Sequence, residues 1–279
     1  MSVVIAVKVS EGLVLAADSA STLTGQVQGA QGPVGVLKTY TNARKLLQIG
    51  EFPIGILAWG LGFIGLRTIE SHVREWEYEN HWHSRDAHKS NIGRPVSVKE
   101  CAESLHNHLV SLYREEFGRN PPGEQPIIGI LVSGYSDGQF FPEIWRFVLP
   151  MEASQIQNQR PDVDGKPDFG ASWFGLTEPL VRLHWGRDDM VVKIISEKFN
   201  IPEDVLSKEL AQLQYPIPFG MMPLQDAIDY ANYMISVGIG RFRFVVGPEL
   251  CGGSVDLAVI TPGRFHWISQ KSLKLNRGD

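Results

Sequence analysis

Cysteine is almost missing from this sequence. Only Cys101 and Cys251 occur among 279 residues, too few for a disulfide framework and in keeping with a reducing, cytoplasmic setting. Cys101 falls on an apolar helical stripe, where ordinary packing is the expected role. Long apolar runs are missing too. None approaches the roughly 20 residues that a membrane helix needs, so no membrane partner is expected. The N-terminal apolar stretch is interrupted by Lys8 and Glu11. It has no basic leader and no cleavage site, and is not expected to be a signal peptide. Nor is there an excess of positive charge: the formal net charge is -5, which argues against nucleic acid as a partner. Internal repeats and low-complexity tracts are absent.

What is present is apolar content of 43 %, ample for a core in a chain that buries about three quarters of its unfolded surface. Val3–Val9 and Leu13–Ala17 are short apolar runs separated by Ser10, Glu11 and Gly12, the pattern of a hairpin. Residues 25–35 hold four glycines and a proline and read as a loop. Lys45–Ile49 and Ile54–Trp59 are two further strands. From Gly60 the spacing of Leu61, Ile64, Thr68, His72 and Trp76 predicts a helix. A charged stretch follows and reads as a solvated excursion. "SVKE" at Ser97–Glu100 is a capping box ahead of an amphipathic helix carrying Cys101, Leu105 and Leu109.

Later, Ile127–Val132 and Phe140–Val148 form a second hairpin, and Ala171–Phe174 is a short strand. Asp188–Phe199 and Pro202–Leu213 read as helices, Pro223 opens another, and strands Val255–Ile260 and Phe265–Ile268 close the chain. Strands paired locally and helices in adjacent pairs predict an α+β fold of antiparallel sheets covered by helices. We expect a single domain over residues 1–279, with insertions near 25–40 and 77–95.

Chemistry concentrates at the N-terminal end. Ser2 follows Met1, and a residue this small permits removal of the methionine. Ser2 then carries a hydroxyl and a free α-amine, a nucleophile and a base on one residue. A nearby lysine favours the neutral amine and the developing alkoxide, and a carboxylate keeps that lysine charged and oriented. Asp18 ends the second strand beside the first. Lys45 enters a strand that can lie alongside, with Lys38 a weaker rival. Taken singly, an aspartate at a strand end and a lysine entering a strand are usually structural.

"VVIAVKVSEGLVLAADS", "RKLLQIGEFPIGILAWG" and "CGGSVDLAVITPGRFHWI" resemble, in order, the start, the next segment and the late hairpin of a mature proteasome β-type subunit, within the N-terminal nucleophile hydrolases. The resemblance covers about the first sixty and last fifty residues. It implies a four-layer αββα sandwich and hydrolysis of peptide or other amide bonds. It also implies self-association in a ring or related homo-oligomer, and no cofactor or metal. Carried over by position, Ser2 is the nucleophile, Asp18 the aspartate and Lys45 the lysine. The oxyanion amide falls at Gly60, or at Trp59 if no gap is allowed.

The sequence departs from that pattern in several places. Serine replaces threonine, and Ala20 stands where the family has arginine. Cys251 and Pro248 occupy the positions of a late serine and aspartate, with Glu249 the nearest acid. A catalytically inactive assembly subunit is therefore the alternative. A third reading rests on "GLGFIG" at Gly60–Gly65, which fits G-x-G-x-x-G between an expected strand and an expected helix, the context of a dinucleotide-dependent oxidoreductase. No acid-ended second strand follows it. His81, His83 and His88 lie in the charged stretch without a completing ligand set, and His106 and His108 are two apart, on different faces of their helix.

Overall fold

A computed structural model describes residues 2–25, 35–92, 95–121, 123–150, 156–246 and 250–272. The chain begins with strands β1 (Val3–Val9) and β2 (Gly12–Ala17), then β3 (Ser21–Gly25), β4 (Gly35–Tyr40), β5 (Leu46–Gln48) and β6 (Ile54–Gly60). Two-residue strands β7 (Phe63–Ile64) and β8 (Arg67–Thr68) lead into helices α1 (Ile69–Glu79), α2 (Arg85–Ile92) and α3 (Val98–Phe117). Strands β9 (Ile128–Gly134), β10 (Glu143–Leu149), β11 (Gln157–Asn158) and β12 (Gly170–Gly175) follow. Helices α4 (Glu178–Trp185), α5 (Asp189–Phe199), α6 (Glu203–Leu210) and α7 (Leu224–Arg243) precede the closing strands β13 (Asp256–Thr261) and β14 (Arg264–Ser269).

The architecture is α+β. One sheet runs β12-β1-β2-β13-β14 and another β11-β10-β9-β6-β5, and the pairings in both are antiparallel. The first strand explains why its sequence is apolar at nearly every position instead of alternating. Val3, Ile5 and Val7 join a cluster with Ala227, Ala231 and Ile235 of α7. Val4 and Ala6 join Leu57 and Leu131 of the other sheet. Both faces are covered, so period-2 patterning disappears. The far face of the second sheet carries a third cluster, in which Ile54, Ile56 and Ile130 pack on Trp76 of α1 and Leu105 of α3.

Two local expectations fail here for physical reasons. The helix expected from Gly60 begins only at Ile69, capped by the Thr68 side chain, which accepts from Ser71 N. Gly60 and Gly65 have φ of 89° and 58°, conformations that glycine permits and a right-handed helix does not. The intervening residues turn back as the β7–β8 hairpin. The charged stretch after α1 is not simply solvated either. It contains α2, and Trp82 and His88 are buried, with both rings against Phe52. In the region of the expected loop, β3 and β4 pair as a separate ribbon, and positions 26–34 lie outside the described residues.

Candidate functional site

Asp18 is fully buried at the end of β2 and acts as a hub. Its Oδ1 accepts from Val3 N at 2.9 Å and from Lys45 Nζ at 2.7 Å. Its Oδ2 accepts from Ala20 N at 3.2 Å and from Gly252 N at 3.1 Å. A carboxylate held by three amides and an ammonium is fixed in orientation. The hairpin explains its position. Pairing of Val4 with Ala17 brings Asp18 alongside the start of β1, and pairing of Ala17 with Asp256 brings the segment before β13 to its other side.

Lys45 enters β5, and its carbonyl accepts from Ala58 N at 2.9 Å. Burial pulls its ammonium below the usual pKa, and the Asp18 charge opposes that. Cys251 is buried against the same pair. Burial, then the Asp18 charge, pushes its thiol up, so it stays protonated. Pro248 and Glu249 lie outside the described residues. Lys38 is exposed on the β3–β4 ribbon, opposite Leu23.

A cavity of about 600 Å³ opens beside the hub, and its wall includes Ser2, Lys45, Trp59, Gly60 and the Arg44–Glu70 pair. Ser2 is 3 % exposed. Its carbonyl accepts from Leu176 N at 2.8 Å, and its successor Val3 is the residue bonded to Asp18. Gly60 is the last residue of β6. On one edge of that strand Leu61 N donates to Ile127 O at 2.7 Å, and on the other Ala58 N donates to Lys45 O. Alternation therefore turns the Gly60 amide to the Lys45 side, just past the end of β5. Trp59 N–H faces β9 instead, opposite Gly129. The expectation of a helix N-terminus at this amide is corrected: a strand end supplies it. The same finding removes the context that "GLGFIG" needs as a dinucleotide motif, because no helix opens there.

Sequence reasoning missed Lys271. Its Nζ donates to Ser19 Oγ at 2.6 Å and pairs with Asp256 at 3.1 Å, and its charge further lowers the pKa of Lys45. The site thus holds two carboxylate–ammonium pairs, the buried Asp18–Lys45 and the partly buried Asp256–Lys271. Lys271 lies past the last strand, outside every motif read from the sequence, and it reaches the site through its bonds to Asp256 at the start of β13.

No protein-family model matches the chain, and no curated protein matches it. Among solved structures it is similar to Anbu (ancestral beta-subunit) from Yersinia bercovieri, with a TM-score of 0.52, 14 % identity, and coverage of 96 % of this chain and 87 % of that one. It is also similar to the chain in the helical assembly of the Anbu complex from Pseudomonas aeruginosa, with a TM-score of 0.50, 14 % identity, and coverage of 93 % and 81 %. These findings correct the resemblance read from the motifs. At this identity they share a fold with the chain and do not make it a proteasome β-type subunit. The chain has a proteasome-related fold.

Proposed function

We propose that this chain hydrolyses amide bonds, with Ser2 as nucleophile once Met1 has been removed. The observation that carries the reading is the Asp18 hub, which bonds Val3 N and Lys45 Nζ through one oxygen beside a cavity that Ser2 and Gly60 also line. Ser2 Oγ attacks the substrate carbonyl, and the α-amine of Ser2 takes the hydroxyl proton. Lys45 keeps that amine neutral by charge repulsion and stabilises the developing alkoxide, and Asp18 holds Lys45 in place. The Gly60 amide receives the oxyanion. Collapse expels the amine, which leaves with the proton, and water then hydrolyses the seryl ester. The reaction needs no cofactor.

The wider reading extends to architecture and setting. The three apolar clusters support a four-layer αββα sandwich in one domain. The paucity of cysteine supports a cytoplasmic protein, and among the described residues no helix is long and apolar enough to cross a membrane. One of the similar structures is titled a helical assembly, and we extend self-association to this chain.

One observation favours a second reading, a non-catalytic assembly protein. Cys251 stands where the motif pattern has serine, and its thiol is held protonated. Intact-mass measurement combined with an amine-and-hydroxyl-directed epoxyketone separates the two. The hydrolase predicts loss of Met1 and a single adduct on Ser2, abolished in Ser2→Ala. A retained methionine with no adduct overturns it in favour of the assembly protein.

A further inference from the structure

Helices α1 and α3 pack with a register that brings three potential metal ligands together away from the cavity. His72 and Glu75 are three apart on α1 and so share a face. Trp76 Nε1 donates to Ser104 Oγ at 3.0 Å. One turn back along α1 from Trp76 is His72, and one turn on along α3 from Ser104 is His108, so that bond sets the two imidazoles opposite each other. One candidate ligand atom from each of His72, Glu75 and His108 lies within 4.8 Å of the others.

The hydrogen bonds of these residues leave the required atoms free. His72 is 4 % exposed, and its Nε2 meets the Ile64 carbonyl at 3.2 Å. A carbonyl can only accept, so Nε2 carries the proton and Nδ1 presents a lone pair. Among the described residues that Nδ1 is buried without a hydrogen-bond partner, and so is His108 Nε2. A buried polar atom left unpaired is costly unless something else satisfies it. Two such imidazole nitrogens beside a carboxylate make a ligand set with a preference for zinc. The carbonyl on the opposite ring nitrogen of His72 is the partner that orients a metal-binding histidine. Glu75 Oε2 pairs with Arg67 at 2.7 Å, but both side chains are about two-fifths exposed, and an exposed pair of this kind is readily given up.

We propose that His72 Nδ1, His108 Nε2 and the Glu75 carboxylate bind a zinc ion between α1 and α3, with water at the fourth position. Bonds of about 2.0–2.1 Å put tetrahedral ligand atoms about 3.3 Å apart, so the three side chains close in around the ion by small torsional changes. Through Ile64 the ion also ties the β7–β8 hairpin to the helix pair. The proposal does not depend on the hydrolase reading.

The test is calorimetric titration of the chelator-treated full chain with zinc chloride, followed by cobalt(II) absorption spectroscopy. One ion per chain is expected, with a rise in Tm and the visible bands of a four-coordinate cobalt site. Because His72 is buried, the variants are His108→Ala and Glu75→Gln, each checked for native circular dichroism. Loss of the His108 ligand should weaken zinc binding by at least about 100-fold, beyond the effect of removing an outer hydrogen bond, and Glu75→Gln should weaken it less. The neighbouring rings of His81 and His83 are the rival histidine pair, and His81→Ala/His83→Ala should leave the affinity unchanged. Absence of a one-per-chain site, affinity unchanged in both His108→Ala and Glu75→Gln, or binding lost with the His81 and His83 substitutions would each overturn the proposal.

Discussion

Lys45 and Lys8 are both lysines buried at the sheets, and they make opposite bargains with burial. Lys45 reaches a carboxylate that is itself wholly buried, at 2.7 Å, inside a set of amide donors. Lys8, at the far end of β1, is 2 % exposed. Its Nζ finds the Arg160 carbonyl at 3.4 Å and the largely exposed Asp162 at 3.9 Å. Burial lowers the ammonium pKa in both cases. The difference lies in the partner. One pair is a short contact to a carboxylate that three amides hold in place, whereas the other is a buried ammonium with a long contact to a mostly exposed acid.

Removing the acid from each pair separates them most. Asp18→Ala takes the acid from Lys45 and leaves three amide donors unpaired, and should cost about 3–5 kcal/mol in urea unfolding followed by circular dichroism. Asp162→Ala loses only a long contact to an exposed group and should cost less than about 1 kcal/mol. Equal costs would mean that the Asp18 hub is no tighter than a surface pair.

Removing the base sharpens the contrast, because the two effects should differ in sign. Lys45→Met leaves Asp18 buried but still held by Val3, Ala20 and Gly252. The expected loss is about 1–3 kcal/mol, the penalty for a partly satisfied buried group. Lys8→Met replaces a poorly compensated charge by an apolar side chain of similar length. It should be neutral or stabilising by up to about 1 kcal/mol. A loss at both positions would show that Lys8 has a partner as effective as Asp18.

The two ends of β1 also differ in how far they could be read from sequence. The β1–β2 hairpin was legible because apolar runs flank a short polar turn, and with it the proximity of Asp18 to the chain's beginning. Lys45 beside Asp18 was a candidate from its place at the start of a strand, and the motif resemblance strengthened it, since the contact depends on how the two sheets stack and on no local pattern. The amides of Val3, Ala20 and Gly252 left no trace, because a backbone donor carries no residue signature. The false helix from Gly60 shows the reverse error. Ile64, Thr68, His72 and Trp76 keep a helical spacing across a hairpin, and the glycines at 60 and 65, with positive φ, were the contrary signal. Burial before and within α2 was masked by charge, since Trp82 and His88 are flanked in sequence mostly by polar and charged residues.

The smallest expected effect concerns pH and tests whether burial alone sets the state of Lys8. Its pKa is lowered in the folded protein, chiefly by burial, from an ordinary value of 10.5. Below the folded pKa the ammonium is charged in both states, and the folded protein bears the full cost of burying it. Between the folded pKa and 10.5 the unfolded chain binds more protons than the folded one, so stability rises with pH through that window. Lys8→Met has no such group. The stability of the wild type relative to Lys8→Met should therefore be lowest near neutrality and climb as pH approaches 10.5, measured by urea unfolding of both proteins at matched pH. A flat difference would mean that the charge of Asp162, with Asp168 behind it, fully offsets burial, and the two lysines would then differ only in geometry.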